Sequence, residues 1–597
     1  MTEKSENRVS DEKSIPQGKK RILILGAGVM QGPALKIARE MGLEVIAVDA
    51  DSEAANIPLA DRFEKVDLKD REGVEVFARS LAEDCKLVGI MTAGTDFSAT
   101  VAWVAEKLNL PGISYEAALD ASDKERMRGR FRAVGLPSPE FIILKSAPEE
   151  GFTLPFQWPA VVKPVDNMGA RGCRRVDGFA DLKAAVTDAL RFSRSGRAIV
   201  EEYMEGPEFS VDALVYDGEI TICGFADRHI FFPPYFIEMG HTMPSSFEPT
   251  VVESLLEVFR RGVRALGITN GAAKGDIKLT PRGPMIGEIA ARLSGGYMSG
   301  WTYPYSSGVL PTKGAIEIAI GKKPGGLTPE WDWVCAERAF ISIPGKVSAI
   351  RGAEKARFMP YVRDLFMRIG PGSEVTFPGN NVQKAGNVLS AAPGRDDAIN
   401  SAEKAACSIL IRLEAPNAET EAFLSRKKDT PRSTRRNTTE GTEEKFIIQE
   451  DTPRRAWRED TENTEGKFTI QEDKLRSNTL GNTEGKFIFP PDAYTLDERL
   501  STLLSALPEC ITNSITGGLP ALAPFPEFTE SGLKDYVGRG VHESLDAVRA
   551  LTGMELPIGG AATGGNTSLL GRPFWQALVR GGYQGAVYYI DSLRQKW

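Results

Sequence analysis

Histidine is scarce in this sequence. Three residues (His229, His241 and His542) in a chain of 597 are too few for a histidine-built metal centre. The six cysteines (Cys85, Cys173, Cys223, Cys335, Cys407 and Cys510) lie far apart with no C-x-x-C pair, which argues against a disulfide framework and a structural zinc site. No apolar run reaches the roughly 18 residues a membrane-spanning helix needs. The polar start MTEKSENRVSDEKSIPQGKK lacks the apolar core of a signal peptide. Positive charge is not in excess either: Lys and Arg number 73 against 81 Asp and Glu, a net −8, a poor default for binding nucleic acid or an anionic membrane. The expectation is a cytoplasmic chain without a nucleic-acid or membrane partner. With 42% hydrophobic residues it can build packed cores, and at about 150 residues per domain its length suggests about four domains.

The first 19 residues read as a solvated tail. RILILGAG (21–28), LEVIAVDAD (43–51) and KLVGIMTAG (86–94) are short apolar runs, and a helical pattern spans 33–41. Strands alternating with helices predict βαβ units on a parallel sheet. From about residue 114 the texture changes. A helix is expected to end at Gly135, followed by strand, glycine loop and strand through WPAVVKPVDNMGARGCRRV. Residues 197–228 alternate with turn signals at 205–207 and 217–218, which predicts antiparallel sheet. A helix over 253–266 and two strands, AAKGDIKLT and MIGEIAAR, follow, and 330–415 reads as a smaller α/β unit with a helix over 397–412.

The first glycine loop places Gly26, Gly28 and Gly32 between a strand and a helix N-terminus, with Asp49 where a ribose-binding acid would sit. Gln31 stands at the third position of the G-x-G-x-x-G pattern, so a dinucleotide site competes with a glycine turn that serves another ligand or only packs. A longer series runs in order: Lys124 at a helix start; Lys163 ending an apolar strand; a loop with Asn167, Gly169, Arg171 and Gly172; the Glu201-Glu202-Tyr203-Met204 run and Glu208; strand carboxylates Asp276 and Glu288; then Arg292. Glycines let backbone approach triphosphate oxygens, a lysine adds a point charge, and two hairpin acids facing one cleft suit Mg²⁺. Singly, each has a plainer reading as a surface lysine, a solvated edge or a turn residue. Their joint order is hard to credit to chance.

Across residues 20–415 the sequence resembles the ATP-grasp superfamily of carboxylate–amine and carboxylate–thiol ligases. The resemblance implies a multidomain α/β and α+β fold: a Rossmann-like domain before the ATP-grasp (20–115), a two-lobed ATP-grasp domain (116–328) and a small C-terminal α/β subdomain (329–415). It implies Lys124 and Lys163 as phosphate lysines, the loop bearing Gly169, Arg171 and Gly172 as a lid, and Glu201, Glu202 and Met204 as adenine contacts. Glu208 becomes the ribose acid, Asp276 and Glu288 the ligands of Mg²⁺ (or Mn²⁺), and Arg292, with Lys163, the catalytic cations. Arg228, Glu238 and His241 are read as substrate residues, with a plain strand edge as the alternative. The family's E-x-N becomes Glu288-Ile289-Ala290 here, and alanine cannot ligate. The expected activity is ATP-dependent joining of small carboxylate and amine substrates, in a homodimer. Alternatives are a purine-biosynthesis or carbamoyl-phosphate-synthetase-like enzyme, a non-catalytic ATP-binding protein, and an oxidoreductase using the first glycine loop.

Beyond 415, TEEKFIIQED, TEGKFTIQED and TEGKFIFPPD recur at offsets of 22 and 19 residues, too irregular for a solenoid. Residues 416–489 are read as a disordered low-complexity insert, with a strand-adding module as the alternative. Residues 490–597 read as a small, mainly helical unit of unknown role, whose Gly-rich 559–567 stretch suits a linker better than a phosphate cradle.

Overall fold

The computed structural model describes residues 19–83, 86–425, 458–459 and 468–469, and nine helical positions between 577 and 592. The expectations for the tail, for most of 416–489 and for most of 490–597 lie outside these residues.

Four strands, β1 (Arg21–Leu25), β2 (Glu44–Asp49), β3 (Arg62–Lys65) and β4 (Leu87–Thr92), form an all-parallel sheet in the order β3-β2-β1-β4. Ile22, Leu23, Ile24 and Leu25 are wholly buried, as expected where helices cover both faces. The glycine loop after β1 does not form a dinucleotide cradle. Gly26 has φ +100°, and a Cβ there would fall 2.9 Å from the Gln31 side chain, which fills the loop and donates to the carbonyl of Ala93. Asp49 spends an oxygen on the Ala27 amide at 2.8 Å.

The helix expected to end at Gly135 is Lys124–Ala133, and a separate helix, Tyr115–Ser122, precedes it. Asp123 sits between them in extended conformation and accepts from the amides of Glu125 and Arg126, so it both ends one helix and caps the next. A second sheet, antiparallel, comprises β5 (Phe141–Leu144), β6 (Ala160–Pro164), β7 (Arg174–Val176) and β8 (Ala198–Glu202) in the order β5-β8-β6-β7.

The third sheet holds β9 (Glu208–Tyr216), β10 (Glu219–Phe231), β11 (Ile237–Met243), β12 (Gly271–Thr280), β13 (Gly283–Ala290) and β14 (Val334–Phe340). Downstream come β15 (Gly345–Arg351), β16 (Val362–Met367), β17 (Glu374–Val375), β18 (Gly386–Ala392) and β19 (Leu410–Leu413). The eight-strand order is β13-β12-β9-β10-β11-β14-β18-β16, so strands of the 330–415 stretch extend the same sheet. β17, β15 and β19 make a small sheet beside it. The 217–218 turn closes a β9–β10 hairpin as expected, but the 205–207 turn does not: β8 and β9 lie in different sheets. Helix Pro249–Ala265 starts earlier than expected, at a proline that suits the first helical position. Leu255, Leu256, Phe259 and Val263 from this helix share one core with Ile277, Ile286 and Ile289 of the β12–β13 hairpin.

Helix Ala418–Ser425 occupies the start of the expected low-complexity insert, and β-pairing joins Arg458–Glu459 to Phe468–Thr469. The helical positions near the C-terminus pack on the last part of the α/β body. Gln584 bridges Ile343 and Ser342, and Arg412 donates to Asp591 at 2.6 Å. Among the described residues no helix is long and apolar enough to cross a membrane.

Gly206 carries the chain from the second sheet to the third at φ +125°, where a Cβ would lie 2.0 Å from the carbonyl oxygen of Leu279. Strain of this kind costs about 1–3 kcal/mol per residue. Gly206→Ala is expected to lose at least that much stability in urea unfolding, while Gly218→Ala, which has open space at its Cβ, loses less.

Candidate functional site

A cavity of about 570 Å³ opens where the loops after β1 and β4, the second sheet and the third sheet meet. Eleven lysines and arginines line it against seven aspartates and glutamates. The β12–β13 register sets Asp276 directly opposite Glu288, so both side chains leave the same face of the hairpin. The other face is pressed on helix Pro249–Ala265: a Cβ on Gly275 would lie 2.6 Å from the Phe259 ring.

Each acid is met by cations. Lys124, the first residue of its helix and only 5% exposed, places Nζ 3.0 Å from Glu288 Oε1 and donates to the carbonyl of Asn167 at 3.0 Å. Burial disfavours charge on Glu288, yet Lys124, Lys163 and Lys274 outweigh it and hold the carboxyl well below its usual range. Asp276 accepts from Ser210 Oγ at 2.9 Å and from Lys274 on Oδ1, and Arg228 stands 3.1 Å from Oδ2. Burial pushes the Asp276 carboxyl up, but Arg228 and Lys274 pull it below its ordinary value.

Lys163 lies 2.7 Å from Glu201 Oε2. The other oxygen of Glu201 accepts from Arg128 Nε at 2.8 Å, and a second Arg128 nitrogen donates to the Gly287 carbonyl at 2.6 Å. Arg128 is fully buried and was missed in the sequence, although it sits one turn after Lys124 on the same helix face. Lys274 and Lys384 were missed as well. Lys384 donates to the Glu238 carbonyl at 2.8 Å, and burial lowers its ammonium from the usual lysine range. Cys173, at the rim, has its thiol pushed up by burial to about 11, so it is no thiolate nucleophile.

The β6–β7 loop covers one side. Gly169 and Ala170 have φ +69° and +58°, and the Gly169 carbonyl accepts from the Asn381 amide at 3.0 Å. Asn381 Oδ1 in turn accepts from the Glu238 amide at 2.7 Å, so the short helix Asn381–Gln383 ties the loop to β11.

The family described as "ATP-grasp domain" matches residues 156–300, and that described as "L-amino acid ligase C-terminal domain 2" matches 339–414. The chain carries an ATP-grasp domain. The uncharacterized protein y4rH of Sinorhizobium fredii is 26% identical over 384 residues, 63% of this chain and 79% of that protein. Carnosine synthase 1 of Gallus gallus is 26% identical over 336 residues, 52% of this chain but only 36% of the synthase's length. The crystal structure of L-amino acid ligase from Bacillus licheniformis is similar in fold at a TM-score of 0.60 and 22% identity, covering 66% of this chain and 99% of that one.

In this ATP-grasp cleft Lys124, Lys163, Gly169, Arg171, Glu201, Glu202, Met204, Glu208, Arg228, Glu238, Asp276, Glu288 and Arg292 all line the one cavity. Gly172 and His241 do not. A Cβ on Gly172 would meet Phe192 at 2.9 Å, so that residue serves packing. His241 is fully buried behind Glu238, with Nδ1 2.8 Å from Glu337, which takes it out of direct substrate contact. Glu201 departs from its expected role too: 2% exposed and shared by two cations, its carboxylate is spent inside the protein and not offered to an adenine base. Arg228 reaches the cavity while held by Glu208, Glu238 and Asp276. Arg292 donates to the Leu293 carbonyl at 3.1 Å and keeps its buried Nε without a hydrogen-bond partner. Among the described residues no three of His, Cys, Asp and Glu gather as a metal site, so a divalent ion held by Asp276 or Glu288 would need phosphate oxygens as well, as Mg²⁺ commonly does.

Four carboxyls here, Glu201, Glu238, Asp276 and Glu288, are held below their ordinary values against the effect of burial. A carboxyl with a depressed folded pKa binds its proton more weakly than in the unfolded chain, so its stabilisation is present above about pH 4 and is lost as pH falls through the folded value. The melting temperature is therefore expected to fall on acidification below about pH 4. Glu201→Gln, which leaves Lys163 and Arg128 without their counter-charge, should lose about 3–5 kcal/mol at neutral pH and show a shallower acid slope in melts across pH.

Proposed function

We propose that this protein is an ATP- and Mg²⁺-dependent ligase that activates a small carboxylate as an acyl phosphate and passes the acyl group to an amine. The observation that carries this reading is the meeting of Lys124, Lys163, Asp276 and Glu288 at one cavity with an excess of basic over acidic side chains, under a glycine loop. Such a wall suits a tetra-anionic triphosphate, and the two strand acids suit the hard cation that travels with it. Glu288, with Asp276 beside it, would hold Mg²⁺, which would supply positive charge against the negative charge that develops during transfer.

In the proposed reaction Lys124 and Lys163 steady the β- and γ-phosphates while Arg292, whose Nε is unpartnered, faces the moving phosphoryl group. A carboxylate oxygen of the first substrate attacks the γ-phosphorus, the bond to the bridging oxygen breaks, and ADP leaves with its electrons. The amine nitrogen of the second substrate then attacks the acyl carbon, phosphate departs, and the amine loses a proton. Little covalent help from the chain is needed, because positioning and fixed charge carry phosphoryl transfer. The 167–172 loop keeps water from the acyl phosphate.

Carnosine synthase and L-amino acid ligase are named for joining amino-acid-like molecules, which supports an amino acid as carboxylate donor and a second amino compound as acceptor. Arg228 and Glu238, on the cavity wall beside Asp276, would orient those charged ends. ADP release measured over paired panels of amino acids and small acids, with mass detection of the product, is expected to find a substrate-dependent pair. Lys163→Ala and Glu288→Gln should each cut that release by about 10²–10³-fold or more, the usual loss when one preorganised charge is removed. Unchanged turnover in both variants would reject the assignment. ATP binding with no ADP from any pair would favour a nucleotide-binding protein without catalysis.

A further inference from the structure

The face of the β12–β13 hairpin that looks into the cavity has four corners, and one pair of corners carries no oxygen. The register sets Asp276 opposite Glu288 and Lys274 opposite Ala290, with the irregularity in pairing falling only after Asp276. Alternation along each strand puts all four side chains on the same face. An ammonium therefore faces a methyl group at the position from which a hairpin of E-x-N pattern would offer its third oxygen.

Lys274 does not swing away from this corner. Its ammonium is ion-paired to Asp276 Oδ1, and its side chain is only 12% exposed. Arg228 takes the other oxygen of Asp276 at 3.1 Å. Ala290 is 7% exposed, which leaves little room for the waters that would substitute for a missing ligand. Glu288 differs from Asp276, since Lys124 reaches only one of its oxygens.

We infer that Lys274 replaces a second divalent cation in this cleft, so that the protein works with one metal ion, held on Glu288, and a built-in ammonium on Asp276. The inference rests on the ATP-grasp reading of the cavity and specifies its charge. A divalent ion placed between Asp276 and the triphosphate would stand against the Lys274 ammonium with no third oxygen to hold it. A lysine delivers a compact point charge at a fixed place and needs no free metal to be present. It brings a single charge where a metal brings two, which leaves more of the neutralisation to Lys124, Lys163 and Arg292.

The test counts metal ions and does not depend on turnover. The full chain is titrated with Mn²⁺ in the presence of the β,γ-methylene analogue of ATP, and bound Mn²⁺ is followed by electron paramagnetic resonance. The expected result is one Mn²⁺ per bound nucleotide with an uncoupled spectrum. Two metals in one phosphoryl-transfer site lie about 3.5–4 Å apart and would be spin-coupled. The double variant Lys274→Ala, Ala290→Asn is expected to bind two, with the coupled spectrum. Two coupled ions in the wild type would overturn the inference and leave the ATP-binding reading intact, and so decide the matter even if the double variant fails to fold. A double variant that binds nucleotide with a single ion would overturn the role of Lys274. Absence of any nucleotide-dependent Mn²⁺ in the wild type would overturn both readings together.

Discussion

A cavity lined by eleven basic side chains has to hold those charges close together, and the pairing of Lys163 and Arg128 with Glu201 is one way this protein does so. Three charges are withdrawn from water within one shell, at 2.7 and 2.8 Å. Burying them singly would be costly, and only their mutual attraction with well-aimed hydrogen bonds offsets the desolvation. The same device recurs along the cleft: Lys124 rests on Glu288, Lys274 and Arg228 on Asp276, and Lys278 lies 3.4 Å from Glu208. Each of these cations is kept in place by an internal carboxylate. On the proposed ligase reading, an arriving phosphate would meet donors that are already oriented, and less ordering entropy would be lost on binding.

These pairs work only because three layers hold their members in register. Lys163 and Glu201 come from adjacent strands of the second sheet, Asp276 and Glu288 from a hairpin of the third, and Lys124 and Arg128 from the helix that spans the gap. Arg128 touches both sheets, through Glu201 and the Gly287 carbonyl. A buried guanidinium with a fork of donors is suited to this, whereas a lysine would reach one partner at a time. The closure is completed from far along the chain: Asn381 binds the glycine loop and β11, and Lys384 binds the Glu238 carbonyl. Those residues lie inside the stretch that matches the L-amino acid ligase C-terminal domain, so the part after the ATP-grasp match is structurally part of the cavity wall.

What could be read from the sequence follows from how local each signal is. β1, β2 and β4 were legible because short apolar runs before glycine or aspartate need no partner to be recognised. The acid pair was legible only as two carboxylates on one hairpin: counting from the turn sets Asp276 opposite Gly287, and the pairing irregularity between Asp276 and Ile277 is what brings Glu288 opposite it. The helix start at Lys124 was legible, while the separate helix Tyr115–Ser122 that Asp123 ends was not anticipated. The assignment of β8 and β9 to separate sheets had no local mark, since a turn in an alternating sequence looks the same whether or not its strands pair. Arg128, Lys274 and Lys384 escaped for a related reason. Each gains its meaning from a partner far along the chain, at Glu201, at a strand register, or at Glu238.

The two places where the sequence breaks a known pattern are informative once their neighbours are visible. Gln31 interrupts the G-x-G-x-x-G series, and its side chain packs over Gly26 and Gly28 while donating to the Ala93 carbonyl. Ala290 interrupts the E-x-N series, and an ammonium already neutralises Asp276 across the strand. In both cases a missing group is matched by a side chain that supplies its volume or its charge. Simple decay of a site would leave a void or an uncompensated carboxylate, and neither is cheap in a buried setting. The first replacement fills the glycine loop of the N-terminal sheet. The second keeps the charge of the main cleft in balance, which argues that Ala290 belongs to a working arrangement with a different division of labour between metal and lysine.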